Sequence, residues 1–148
     1  LAQFSPPDDV APYAWSLVLL FGMVILSIVP LYEARFKAQF EMSDLSSLRA
    51  MFDRYLAWGK RASWSQQNSF ESFSLHAPVA ILAILVAMNG LPLPAFAVVV
   101  AFVHPILRAA YLVSYLVNIS LLRSVCWVFA SLCSGFLYGV CLSAIIST

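Results

Sequence analysis

The chain has 148 residues, 62% of them hydrophobic and 10% charged, with a mean hydropathy of +0.89. Soluble domains run at about 25% charged residues, so this composition excludes an ordinary soluble domain and points to the bilayer. A net charge of +1 with no basic tail leaves no electrostatic footprint for nucleic acid.

Residues 1–12 form a polar, proline-containing lead (Pro6, Pro7, Pro12). The flank before the first apolar run is acidic (Asp8, Asp9) and the run is long, so no cleavable signal peptide is expected there. The remainder, 13–148, reads as one membrane domain with a first span over about 13–32. Tyr13, Trp15 and Tyr32 serve as its interfacial aromatics, and Pro30 is expected to kink or end it.

Residues 33–61 hold most of the charge, including Arg35, Lys37, Arg49, Arg54, Lys60 and Arg61. Leu45, Leu48, Met51, Phe52, Tyr55 and Leu56 recur there at three- and four-residue spacing. That pattern predicts an amphipathic helix over about 43–60, on the membrane or against protein, with Ser43 or Asp44 as its N-cap.

A second span follows over about 64–88, a third over about 95–116 and a fourth over about 122–146. The second carries Pro78 and the third Pro105. The turns between them are Asn89-Gly90-Leu91-Pro92-Leu93-Pro94 and Asn118-Ile119-Ser120. The fold class is therefore all-α, an integral membrane four-helix bundle. Six of the eight basic residues precede span two, and Arg123 opens span four at the same end. The positive-inside rule places that end in the cytoplasm or its equivalent, with both termini opposite.

Span four carries Ser131, Gly135, Gly139 and Ser143 at four-residue intervals. Small residues in that register let helices approach closely, within one subunit or between copies. Cys126, Cys133 and Cys141 share this span and read as small buried hydrophobes rather than a disulfide framework or zinc site.

Polar groups inside the spans are the functional signal, because each needs a partner in hydrocarbon. Glu71 lies roughly 10 Å, and Arg108 roughly 12 Å, from the basic face by helical rise. An acid and a base at matching depth should pair, within a subunit or across two. Arg61, Trp64, Asn68 and Glu71 share a stripe on span two, while Arg108, Tyr111 and Tyr115 share one on span three. Two readings stand: a hydrogen-bonded network that fixes helix packing, or a cavity for a small anionic ligand. Arg123 fits either a membrane anchor or a thiolate-stabilising charge at a helix N-terminus. His76 and His104 both fall roughly 18 Å deep. They are core imidazoles or, less economically, ligands of a haem or chlorophyll.

Arg61-Ala62, Asn68-Ser69-Phe70-Glu71, Arg108, Tyr111, Tyr115 and Arg123-Ser124 on four spans resemble the MAPEG superfamily, the membrane-associated proteins in eicosanoid and glutathione metabolism. The wording of the 65–71 stretch is nearest its bacterial-type branch. The resemblance implies a homotrimer of four-helix subunits with glutathione as co-substrate, bound between neighbours. Arg61, Asn68, Glu71, Arg108 and Tyr111 would bind substrate; Arg123, Ser124 and Tyr115 would form the catalytic set, with no metal. The implied activity is a transferase or peroxidase acting on a lipophilic small molecule taken from the lipid bilayer. Glutathione-using members carry arginine four residues before the asparagine, where this chain has Trp64. That departure, and a non-catalytic lipid-binding member of the superfamily, keep an alternative: an accessory or scaffold subunit among other membrane subunits.

Overall fold

The computed structural model describes residues 10–147, so most of the polar lead lies outside the described residues. The first helix, α1, runs Ala11–Lys37 with a proline in its opening turn, where the missing N–H would be unpaired anyway. It continues through Pro30, so of the expected kink or end the end does not occur. One absent donor does not end a helix whose buried residues Ser27, Leu31 and Ala34 keep packing on either side of it. Arg35 and Lys37 in its last turn complement the negative end of the dipole.

The amphipathic segment is not an α-helix. It forms two 3-10 helices, Met42–Ser46 and Leu48–Arg54, and the next α-helix begins at Ala57. Leu45, Leu48 and Met51 recur every three residues, the period of a 3-10 helix rather than of an α-helix. Asp44 accepts the Glu41 N–H at 2.9 Å, so the N-cap is Glu41 and not Ser43 or Asp44. Ser47, at φ −151°, separates the two turns, and an Arg54–Asp44 ion pair ties them together. Met51 and Tyr55 bury against Leu31 and Ala34 of α1.

The remaining helices are α2 (Ala57–Met88), α3 (Ala95–Leu116) and α4 (Ser120–Ile146). With α1 they are long and apolar enough to cross a membrane. α2 starts seven residues before the expected span, which puts Lys60 and Arg61 on the helix itself. Gly90 at φ 70° and Asn118 at φ 63° turn the chain between helices.

α1 packs on α2 and α3, and α4 packs on α3 and α2. The contact faces are rich in alanine: Ala80, Ala83, Ala97 and Ala101 are fully buried and let the axes come close. Around them Tyr13, Val79, Val86, Leu137 and Cys141 fill the core at the end away from the basic loops. On α4 the buried face is Cys126, Ala130, Ser134, Leu137, Cys141 and Ala144. Ser131, Gly135, Gly139 and Ser143 are therefore exposed, and a Cβ built at Gly135 or Gly139 would meet nothing within 4 Å.

Candidate functional site

α2 leaves its Asn68–Glu71 turn facing α3 and α4. The Asn68 amide donates to the Trp64 carbonyl at 2.9 Å, and the Asn68 main-chain carbonyl accepts from Arg108 Nη2 at 2.8 Å. Arg108 is 5% exposed, on the buried face of α3. Glu71 is exposed and accepts from Gln67 Nε2 at 3.3 Å. The expected Glu71–Arg108 ion pair does not form within the chain: Arg108 turns to the Asn68 carbonyl instead. Both residues nevertheless line one cavity of about 270 Å³, together with Asn68, Ser72, His104 and Ser134.

From Arg108 a row of charge and ring contacts runs toward the basic end of the bundle. The guanidinium lies 4.2 Å from the centre of the Tyr111 ring. Tyr111 meets Tyr115 edge-on at 5.5 Å, and the Arg123 guanidinium lies 4.5 Å from the Tyr115 ring. The i, i+3, i+7 spacing of Arg108, Tyr111 and Tyr115 thus holds two cations 15 residues apart in sequence through two tyrosines. Arg123 sits in the first turn of α4, where the helix dipole is already positive. A cation there is unfavourable alone and makes the place attractive to an anion. The Ser124 hydroxyl bonds back to the Ser120 carbonyl at 3.1 Å.

Two members of the span-two stripe turn elsewhere. Trp64 pairs with Phe52 of the second 3-10 helix at 5.5 Å and borders a separate cavity of about 600 Å³ with Arg35, Arg49 and Tyr55. Its ring therefore braces the segment before α2, whereas Asn68 and Glu71 face α3 and α4. Arg61 is partly buried, its Nε without a partner, and it is not among the residues lining the Asn68 cavity.

The histidines share a depth, as expected, but their rings stack at 3.7 Å and 9°. No macrocycle fits between rings in van der Waals contact. Both Nδ1 atoms are engaged: His104 with the Ala130 carbonyl at 2.9 Å and His76 with Ser134 Oγ at 3.0 Å. Among the described residues no group of three or more metal-ligating side chains forms. The three cysteines are free.

Sequence reasoning missed Ser72, one turn beyond Asn68, whose hydroxyl lies 3.2 Å from His104 Nε2. Its i+4 spacing from Asn68 was the available signal, but helix serines are common enough to hide it. Ser134, set between both histidines, was equally silent.

Comparisons with curated proteins and with solved structures find no significant match. The model of the MAPEG family matches residues 12–143, which takes in every residue of the site and all four helices but for the first residue of α1 and the end of α4. The chain belongs to the MAPEG family.

Proposed function

We propose that the chain is a membrane-bound glutathione-dependent transferase or peroxidase acting on lipophilic electrophiles or hydroperoxides. The observation that carries this reading is the cavity walled by Asn68, Glu71 and Arg108, with the row of side-chain contacts that leads from Arg108 through Tyr111 and Tyr115 to Arg123. Glutathione brings two carboxylates, an ammonium and a thiol. Arg108 suits a carboxylate, exposed Glu71 suits the ammonium, and Asn68, Tyr111 and Tyr115 suit the polar peptide groups; Arg61, which does not line this cavity, stands outside the set. Arg123, aided by Ser124 and the positive end of α4, holds the thiolate. A carboxylate held only by Gln67, as Glu71 is, and exposed along a membrane-crossing helix, fits a site completed by a neighbouring copy, consistent with a homotrimer. The outward small-residue face of α4 is suited to that contact. The positive-inside rule sets the basic end in the cytoplasm or its equivalent and both termini on the other side.

The test is turnover of glutathione with a chlorodinitrobenzene electrophile and with a lipid hydroperoxide, alongside the ultraviolet absorbance of the bound thiolate. Arg123→Ala is expected to lower kcat by about 100-fold or more, in the range of losing one group that stabilises a reacting anion, and to remove the thiolate band. Turnover unchanged by Arg123→Ala would remove the role assigned to it.

One observation favours a second reading. Trp64, where glutathione-using relatives carry arginine, is committed to Phe52 and cannot supply the missing guanidinium. A non-catalytic accessory or scaffold subunit follows if the purified protein binds no glutathione and isolates with other membrane subunits.

A further inference from the structure

The deep end of the Asn68 cavity carries chemistry that the glutathione reading leaves unused. His104 Nδ1 lies 2.9 Å from the Ala130 carbonyl, and a carbonyl only accepts. Nδ1 therefore bears the ring proton and Nε2 is a bare acceptor. The Ser72 hydroxyl, 3.2 Å away, donates to it.

Ser72 is directed there by its surroundings. Ser69 and Ser74 on the same helix donate to the carbonyls four residues back, Ser65 and Phe70, both at 2.9 Å. The corresponding carbonyl for Ser72 is that of Asn68, which also accepts from Arg108 at 2.8 Å. With the helical N–H as its other donor, both of its lone pairs are filled. The Ser72 hydroxyl is left to turn across to α3. His76, stacked at 3.7 Å, fixes the plane of the His104 ring.

The result is a hydroxyl, an imidazole accepting its proton, and a third group orienting that imidazole, within the distances of an activated nucleophile. Ser72 and His104 line the cavity with Leu75, Trp127 and Tyr138, large side chains that are exposed on the outer surface of α2 and α4. Arg108, one turn along α3 from His104, lines it too and uses Nη2 for the Asn68 carbonyl. Its other N–H groups leave a fixed positive charge on the wall of the same cavity.

We propose that Ser72 and His104 are the nucleophile and general base of a second activity, acyl transfer from a lipophilic ester that enters from the lipid side. Ser72 Oγ forms a bond to the ester carbonyl carbon as its proton passes to His104 Nε2. The tetrahedral adduct collapses, the bond to the alkoxy oxygen breaks, and His104 returns the proton to the departing alcohol. Water, activated by His104 in the same way, then adds to the acyl-Ser72 carbonyl and releases the acid and the free serine.

The experiment is treatment of the purified full chain in lipid nanodiscs, without glutathione, with a long-chain alkyl fluorophosphonate. Attack by Ser72 Oγ forms the O–P bond and expels fluoride. Intact mass is expected to show one phosphonyl adduct, and peptide mapping to place it on Ser72. Ser72→Ala is expected to abolish the adduct and Ser74→Ala to retain it, while His104→Gln slows labelling by about 100-fold. Wild-type protein that gains no adduct, gains it on another residue, or loses nothing in the His104→Gln variant overturns the proposal. The wild-type mapping decides even if a variant fails to fold. Because glutathione is absent, labelling and glutathione turnover succeed or fail separately.

Discussion

Arg108 reaching the Asn68 carbonyl changes what its neighbours do. A hydrogen bond from a charged group contributes about 1.5–3 kcal/mol, enough to hold the guanidinium against α2 and away from Glu71. It also redirects Ser72 and leaves Glu71 exposed for another partner. A second residue-level device lies outside the spans. The Asp44 carboxyl sits below its usual range, chiefly because Arg54 bonds to it and then because the Glu41 N–H donates to it. A carboxyl lowered in the folded state adds stability that is complete above its unfolded value, about 3.9, and is lost as pH falls through the folded value. Acidification below about pH 4 is therefore expected to loosen residues 41–54. Asp44→Asn should reproduce that loosening at neutral pH. Amide hydrogen exchange checks both, with α2 amides beyond Trp64 unaffected.

At the scale of elements, the entry of α2 depends on one glycine. A Cβ on Gly59 would meet the Ala34 Cβ at 2.8 Å and the Tyr55 Cβ at 3.2 Å, which sets how closely α1 and α2 approach. Alanine gains about 1 kcal/mol of helix propensity over glycine, but overpacking into a neighbouring Cβ costs about 1–3 kcal/mol. The clash is against two rigid positions, so it wins. Gly59→Ala is expected to lower Tm in detergent by several degrees. Gly22→Ala, where nothing lies within 4 Å, should leave it unchanged or raise it. The same crowding explains the segment before α2. Met51 and Tyr55 must reach Leu31 and Ala34: Met51 does so from within the second 3-10 helix and Tyr55 from the extended residue that ends it.

At the scale of the whole molecule, the chain presents an unusually apolar exterior interrupted by Glu71 and by the Ser131–Gly135–Gly139–Ser143 face. Nothing lies within 4 Å of a Cβ built at Gly135 or Gly139, so within one chain these two glycines, Gly135 at the edge of the Asn68 cavity, leave room beside them. If neighbouring copies meet there, Gly139→Leu is expected to shift the protein from trimer to monomer in native mass spectrometry. Glutathione turnover should fall with it, because the proposed site spans two copies. A trimer that survives Gly139→Leu places the contact on another face.

The sequence by itself determined the membrane class, the four helices and the family, because hydropathy runs and an ordered set of polar residues are local properties of the chain. It also placed Arg108, Tyr111 and Tyr115 on one face, since helical spacing fixes that without any partner. It did not determine which polar groups meet. Trp64 belonged to the same stripe as Asn68, yet Phe52 captured its ring; Glu71 and Arg108 matched in depth, yet a main-chain carbonyl took the guanidinium. Depth is set by helical rise, but partnership is set by the rotation and closeness of neighbouring helices, which the buried alanines and Gly59 control. For that reason the stacked histidines and the Ser72–His104 contact exist only in the tertiary structure.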